Sequence, residues 1–274
     1  MMDDRYMTLP PVAGDVGEIR QAISSSNTLV TVAFEDPAGL EMHLSLIRRY
    51  VEFDQHVIVD NSRDPGIAAR NREIASSLGT LYLQLPANPW TKRNDSRSHG
   101  IALNWIWRKI IKPAAPRAFG FIDDDMFPVG PVDPFAPLAS HAFYGDQRVA
   151  GPRWFLWAGY CFFRFDAVSD KKLDFGLDWF IGLDTGGANW DVLYRHVDPR
   201  SLPARSIEQF AALPDLPKES AYFERRGEWI HEVGWPRVPE VLLEKRIALT
   251  QLLAPHLDPT RFPLPAVREA GRRP

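Results

Sequence analysis

Apolar positions along this chain fall into short solid runs, separated by stretches in which they recur every three or four residues. "TLVTVAF" at 28–34 is a β-branched run of the kind that forms a buried strand. Leu40, Leu44, Ile47 and Val51 then recur at spacings that line one face of an α-helix. "HVIVDNS" at 56–62 repeats the strand pattern and ends in turn residues, and Ile67, Ile74 and Leu78 mark a second helix. "TLYLQL" at 80–85 is a third strand. A third helix, capped by Asn94, Asp95 or Ser96, runs through "HGIALNWIWRKII" until Pro113. "AFGFID" at 118–123 is the fourth strand.

Strands alternating with helices at this spacing predict crossover connections and a mainly parallel sheet, with a ligand beyond the carboxyl ends of its strands. The polar residues fall there: Phe34, Glu35 and Asp36 follow the first strand, Asp60, Asn61 and Ser62 the second, and Asp123, Asp124 and Asp125 the fourth. After residue 128 the alternation is lost. "PVGPVDPFAPL" is a proline-rich loop, and "HAFYGD" and "GYCFFRF" read as strands of a smaller mixed sheet on the acceptor side. The organisation expected is an α/β domain over 27–254, divided into halves 27–128 and 129–254. Residues 1–26 and 255–274 have little periodicity and read as a peripheral segment and a tail.

With 45% hydrophobic and 24% charged residues, the chain has the composition of an ordinary globular protein. Its net charge of −3 provides no basic field for a polyanion, which argues against nucleic acid as a partner. A single cysteine, Cys161, excludes an internal disulfide framework and suits a reducing cytoplasm. No signal peptide and no run long enough for a transmembrane segment is visible, so a cytoplasmic location is expected, with peripheral attachment to a membrane compatible with it.

The chemistry concentrates in "FIDDDMFP" at 121–128. Carboxylates crowded at a strand end repel unless protons or a cation intervene. On an extended chain Asp123 and Asp125 point to one side and Asp124 to the other. A hard cation such as Mn²⁺ or Mg²⁺ accepts one or two such carboxylates and completes its shell with substrate phosphates. A bare D-x-D also describes a solvated acidic turn.

Context distinguishes these readings. The acidic loop after the first strand, "VIVDNS", "NDSRSHG" at 94–100 and "FIDDDMFP" together resemble the GT-A glycosyltransferases, family 2 above all, over roughly residues 28–196. The resemblance implies that Phe34, Glu35 and Asp60 hold nucleotide base and ribose. It also implies that Asn94, Arg97, His99 and Gly100 contact base and diphosphate, and that Asp123 and Asp124 contact the nucleotide-sugar. Asp125 and Asp123 would hold Mn²⁺ or Mg²⁺, with His231 of "EWIHEVG" as the family's C-terminal metal-binding histidine.

Further on, "WAGYCFFRFD", "LDFG" and "GLDTGGANW" resemble bacterial glycosyltransferase-like proteins with a D-x-D-[MI]-F-P motif. Asp184, 59 positions after Asp125, falls where family 2 places its catalytic base, with Asp178 in reserve. The usual Glu-Asp pair is Leu183-Asp184 here, and the Q-x-x-R-W motif of processive synthases is absent. The implied activity is inverting, non-processive transfer from a nucleoside diphosphate-sugar to a glycan, lipid-linked or small-molecule acceptor.

Each candidate has a plainer alternative. Asp60 can cap a turn, Arg97 and His99 can be ordinary helix residues, Asp184 can cap a following helix, and most tryptophans near these segments (Trp90, Trp154, Trp157, Trp179, Trp190) can be core. Two other functional classes remain open. A nucleotidyltransferase shares the layers but opens on a Gly-rich basic loop, where this chain has "AFEDPAGLEMHL". A non-catalytic nucleotide-sugar-binding or glycan-binding protein would differ only in lacking turnover. Dehydrogenases and Rossmann methyltransferases need a Gly-rich turn after the first strand that this chain lacks.

Overall fold

The computed structural model describes residues 2–178, 184–203, 205–211, 222–234 and 239–263. Strands β1 (Asn27–Ala33), β2 (Gln55–Asp60), β3 (Leu81–Gln84) and β4 (Ala118–Ile122) form a parallel block in the order β3-β2-β1-β4. Helices α3 (Pro37–Tyr50), α4 (Pro65–Ser77) and α5 (Asp95–Ile106) make the crossovers. Each begins at the cap its sequence offers: Asp36, Asp64 and Asn94 accept backbone N–H bonds from the first turn. The strands are buried almost throughout, as expected for a sheet covered on both faces.

Beyond β4 the sheet continues through the antiparallel strands β7 (Arg153–Arg164) and then β6 (Phe143–Ala150). The segments expected to build a separate acceptor-side sheet are therefore the edge of the main one. The smaller sheet is antiparallel rather than mixed, in the order β5 (Met126–Pro128), β10 (Trp229–His231), β9 (Tyr222–Arg226), β8 (Glu208–Ala211). A three-residue strand such as "MFP" carries too little pattern to announce its partner, which lies about a hundred residues downstream. The architecture is α/β, a mainly parallel six-stranded sheet flanked by helices with a small antiparallel sheet beside it, a layering consistent with the expected GT-A (Rossmann-like) fold.

Two further details affect the site. α5 passes into a wide π turn at Trp107–Ile111 before the short α6 (Lys112–Ala114). The widening occupies the residues before Pro113, where a proline ring meets the carbonyl four residues back. Residues 1–26 contribute α1 (Met2–Thr8) and α2 (Val16–Ile23), whose Tyr6, Ile19 and Ile23 are buried in the principal core. A short α7 (Phe165–Val168) follows β7, and towards the other end of the chain Leu257 is buried in a cluster that includes Leu249 and Leu253 of α8 (Pro239–Leu253) and Phe127.

Candidate active site

The three aspartates lie just beyond the carboxyl end of β4, between the end of β1 and β10. They do not continue an extended strand. The chain turns, with Met126 N donating to Asp123 O at 3.2 Å, and enters the small sheet as β5. Strict alternation therefore does not govern their directions, yet each is placed by a specific partner. Asp124 is directed at the first strand end, where Phe34 N donates to its Oδ2 at 3.0 Å. Asp123 Oδ1 faces His99 Nε2 at 3.2 Å, and Asp125 Oδ2 faces His231 Nε2 at 3.5 Å.

The crowding shows in their titration. Burial raises Asp123 to about 6, opposed by the charge of His99 and reinforced by Asp125 and, further down, by Asp184. Burial and neighbouring carboxylates also raise Asp124. For Asp125, burial pushes upward, but the charge and hydrogen bond of His231 outweigh it and hold the carboxyl below its usual range. His231 is raised to about 9: burial opposes its charge, and Asp125 and Glu224 overcome that.

The Mn²⁺ or Mg²⁺ implied by the resemblance can be tested against these residues. Among the described residues no three His, Cys, Asp or Glu side chains form a group able to hold a metal ion by themselves. A hard cation of this kind needs only one or two carboxylates, with phosphates and water completing the shell. Asp125 Oδ1 is buried and has no hydrogen-bond partner, an orphaned acceptor of the sort a cation would satisfy. Asp125, facing the His231 imidazole and with Asp123 in the same turn, offers the one or two carboxylates such an ion requires.

Glycine makes this arrangement possible. Asp123 N donates to Gly159 O on β7, and a Cβ at 159 would lie 2.5 Å from Asp123 Oδ2 and 2.2 Å from Trp157. Trp157 in turn stands 5.0 Å from the His231 ring. Gly159 was not a candidate from sequence, because its neighbour Asp123 is identified only by strand pairing.

The nucleotide-side candidates occupy varied places. Glu35, at φ 55°, accepts from Arg63 N at 2.6 Å and so ties the end of β1 to the loop after β2. Arg63 lies over the Phe34 ring at 5.7 Å. Asp60 is fully buried, and its oxygens accept from Ser62 N, Asn71 and Tyr82, so it holds the loop from beneath. Asn94 caps α5 by accepting from Arg97 N at 2.7 Å. Arg97 lies 3.6 Å from the Trp90 ring and donates to Asp3 of α1 at 2.8 Å. Gly100 packs on the 175–176 backbone, where a Cβ would come within 2.9 Å of Phe175 O.

On the other side, Asp184 is exposed and its Oδ1 accepts from Thr185 N at 2.8 Å. The loop behind it is docked on β7 through Ala158 N to Thr185 O, and Gly186, at φ 97°, fits against Leu156 O where a Cβ would come within 2.5 Å. Asp184 is near enough to raise Asp123. Asp178 pairs with Arg153 at 3.2 Å. Trp154 is buried core, Trp90, Trp157 and Trp190 are partly buried, and Trp179 lies outside the described residues. A groove of about 620 Å³ lies at the opposite, amino ends of β1–β3, lined in part by Asn27, His56 and Leu81, and contains none of the candidate residues.

No protein family profile and no curated protein matches this chain. Among solved structures, S. aureus TarS is similar at 13% identity and a TM-score of 0.34, over 54% of this chain and 30% of that one. M. capricolum TrmK in complex with S-adenosyl-homocysteine is similar at 8% identity and a TM-score of 0.22, over 91% of this chain and 90% of that one. The chain thus spans about a third of the TarS structure's length. Among the described residues no helix is long and apolar enough to cross a membrane.

Proposed function

We propose that this chain is a glycosyltransferase that moves a sugar from a nucleoside diphosphate-sugar to an acceptor hydroxyl, with inversion and one sugar per encounter, using Mn²⁺ or Mg²⁺. The observation that carries the reading is Asp125 facing His231 beyond the carboxyl ends of the parallel strands, with Asp123 in the same turn and one Asp125 oxygen left orphaned. A divalent cation held there supplies positive charge against a diphosphate leaving group. The chain's own residues divide the remaining work. Phe34, with Arg63 over its ring, offers a face for a planar base beside the strand end. His99 steadies Asp123. Asp184 stands exposed and close enough for its charge to act on Asp123, suited to accept a proton from an acceptor hydroxyl, while Trp157 and Trp190 offer indole faces for a sugar.

Arg97 reaches a diphosphate only by leaving Asp3, whereas Asp60, Asn94 and Gly100 support the site through loop, cap and close packing. Titration calorimetry with UDP and GDP tests the reading. Binding is expected to strengthen at least tenfold when Mn²⁺ replaces a chelator, and Asp125→Ala is expected to abolish that difference. A diphosphate affinity indifferent to the cation in wild type, or an Asp125→Ala protein that keeps the dependence, would refute it.

A further inference from the structure

The histidine facing Asp125 is held from behind by a chain of buried charge that leads away from the site. Its Nδ1 lies 3.1 Å from Glu224 Oε2, on the neighbouring strand β9 and paired with His231 across the ladder. Glu224 is 4% exposed, and its other oxygen accepts from Gln209 at 3.1 Å. Arg226, with no exposed surface, donates Nε to the same Glu224 Oε2 at 2.9 Å and bonds Asp146 through its other arm. Asp146 is buried at the point where the β6–β7 pairing shifts register between Gly145 and Gln147, and Arg205 closes the chain on it at 3.0 Å. The sequence Asp125, His231, Glu224, Arg226, Asp146 therefore runs from the D-x-D turn through the small sheet into the edge of the main one.

Such a chain fixes a ring. An imidazole on a short strand can rotate, and either nitrogen can carry the proton. A carboxylate behind Nδ1 makes that nitrogen the donor and leaves Nε2 directed at Asp125, the arrangement by which a ligating histidine is oriented and made more basic. Arg226 holds Glu224 in place by donating to its Oε2, since a buried carboxylate without its cation would be costly. We infer that Glu224 is a positioning residue for a divalent cation at Asp123 and Asp125, acting through His231, with Arg226 and Asp146 as its support. The inference rests on the cation reading proposed above.

The test uses the full chain without nucleotide and Mn²⁺ alone as the probe, followed by water-proton relaxation, which registers weak binding. Glu224→Gln keeps the shape and is expected to weaken Mn²⁺ ten- to a hundredfold, the usual cost of losing such a partner. His231→Gln should do at least as much, and the double variant should be no worse than His231→Gln, because Glu224 acts through the ring. Wild-type Mn²⁺ affinity in Glu224→Gln, or losses that add in the double variant, would overturn the inference while leaving the cation reading standing. No Mn²⁺ binding by the wild type would overturn both. Should Glu224→Gln fail to fold, ¹⁵N-histidine spectra of the wild type decide: His231 Nδ1 is expected to carry a proton with and without diamagnetic Mg²⁺, whereas Mg²⁺ should move the Nε2 resonance. A bare Nδ1, or an Nε2 resonance that Mg²⁺ leaves in place, would overturn it.

Discussion

Asp184 acts on Asp123 through its charge and Gly159 through close packing, and each carries a prediction. A carboxylate acting as base must come within about 2.6 to 3.2 Å of the acceptor hydroxyl or reach it through one water. Exposure and its place in a glycine-rich loop give Asp184 that reach, and among the described residues its side chain accepts from Thr185. Asp184→Asn should keep cation-dependent diphosphate binding and near-native melting while turnover falls at least a hundredfold, in line with general-base contributions. Steady-state rates beside calorimetry check this, and undiminished turnover would transfer the search to Asp178. Gly159→Ala is expected to act through space. Its new methyl meets Asp123 Oδ2 and the Trp157 indole, both closer than carbon contacts allow. Overpacking of this kind costs about 1 to 3 kcal/mol. Mn²⁺ affinity should fall together with the melting temperature, because the group displaced is the carboxylate itself.

Among the elements, α1 shows how little a weak sequence pattern says about attachment. A helix of seven residues with one buried apolar side chain has no stripe to detect, yet Tyr6 is 2% exposed in the principal core. Asp3 bonds both Arg97 and the Trp90 indole, and Leu9 O accepts from Trp105. Removing residues 1–8 should therefore lower the melting temperature by about 4 to 8 °C, from roughly 2 kcal/mol of lost burial. Differential scanning calorimetry checks this, and an unchanged melting point would mark the helix as ornamental to stability. The longer elements behave differently. α3 and α4 start on their Asp caps and their strands read as solid apolar runs, so local propensity and tertiary packing agree there.

At the scale of the whole molecule, a pair of histidines makes the fold sensitive to acid. His43 on α3 and His56 on β2 share Thr31 Oγ1 at 3.2 and 3.0 Å, and His43 Nδ1 donates to Met126 O at 2.7 Å, linking helix, main sheet and D-x-D turn. Burial lowers His43 to about 4, and burial together with the charge of His43 lowers His56 well below its ordinary value. The unfolded chain takes up these protons near 6.5, whereas the folded chain refuses them until far lower. The stability the neutral rings contribute is complete above 6.5 and is lost as the pH falls from 6.5 towards 4, at about 1.4 kcal/mol per pH unit for each histidine. Urea unfolding between pH 7 and 4 should show this slope, and His56→Phe, which surrenders only the Thr31 bond, should lower it by one histidine's share. An identical slope in the variant would assign the acid loss to other groups.

The sequence by itself determined the parallel half of this protein. Solid β-branched runs, helical spacing and capping aspartates are local signals, and they placed β1, β2 and β4 side by side with polar residues at their carboxyl ends. The D-x-D turn was legible for the same reason, since three adjacent carboxylates mark themselves. What only the tertiary structure decided depends on pairing across long separations. β5 finds β10, β6 and β7 extend the main sheet, and Asp3 reaches Arg97, none of which a window of neighbouring residues encodes. Gly159, Glu224, Arg226 and Asp146 stayed invisible as neighbours of the candidate site because a buried glycine or ion pair takes its meaning from its opposite number. In the sequence those partners lie tens of residues away, and only the folded sheets bring them within bonding distance.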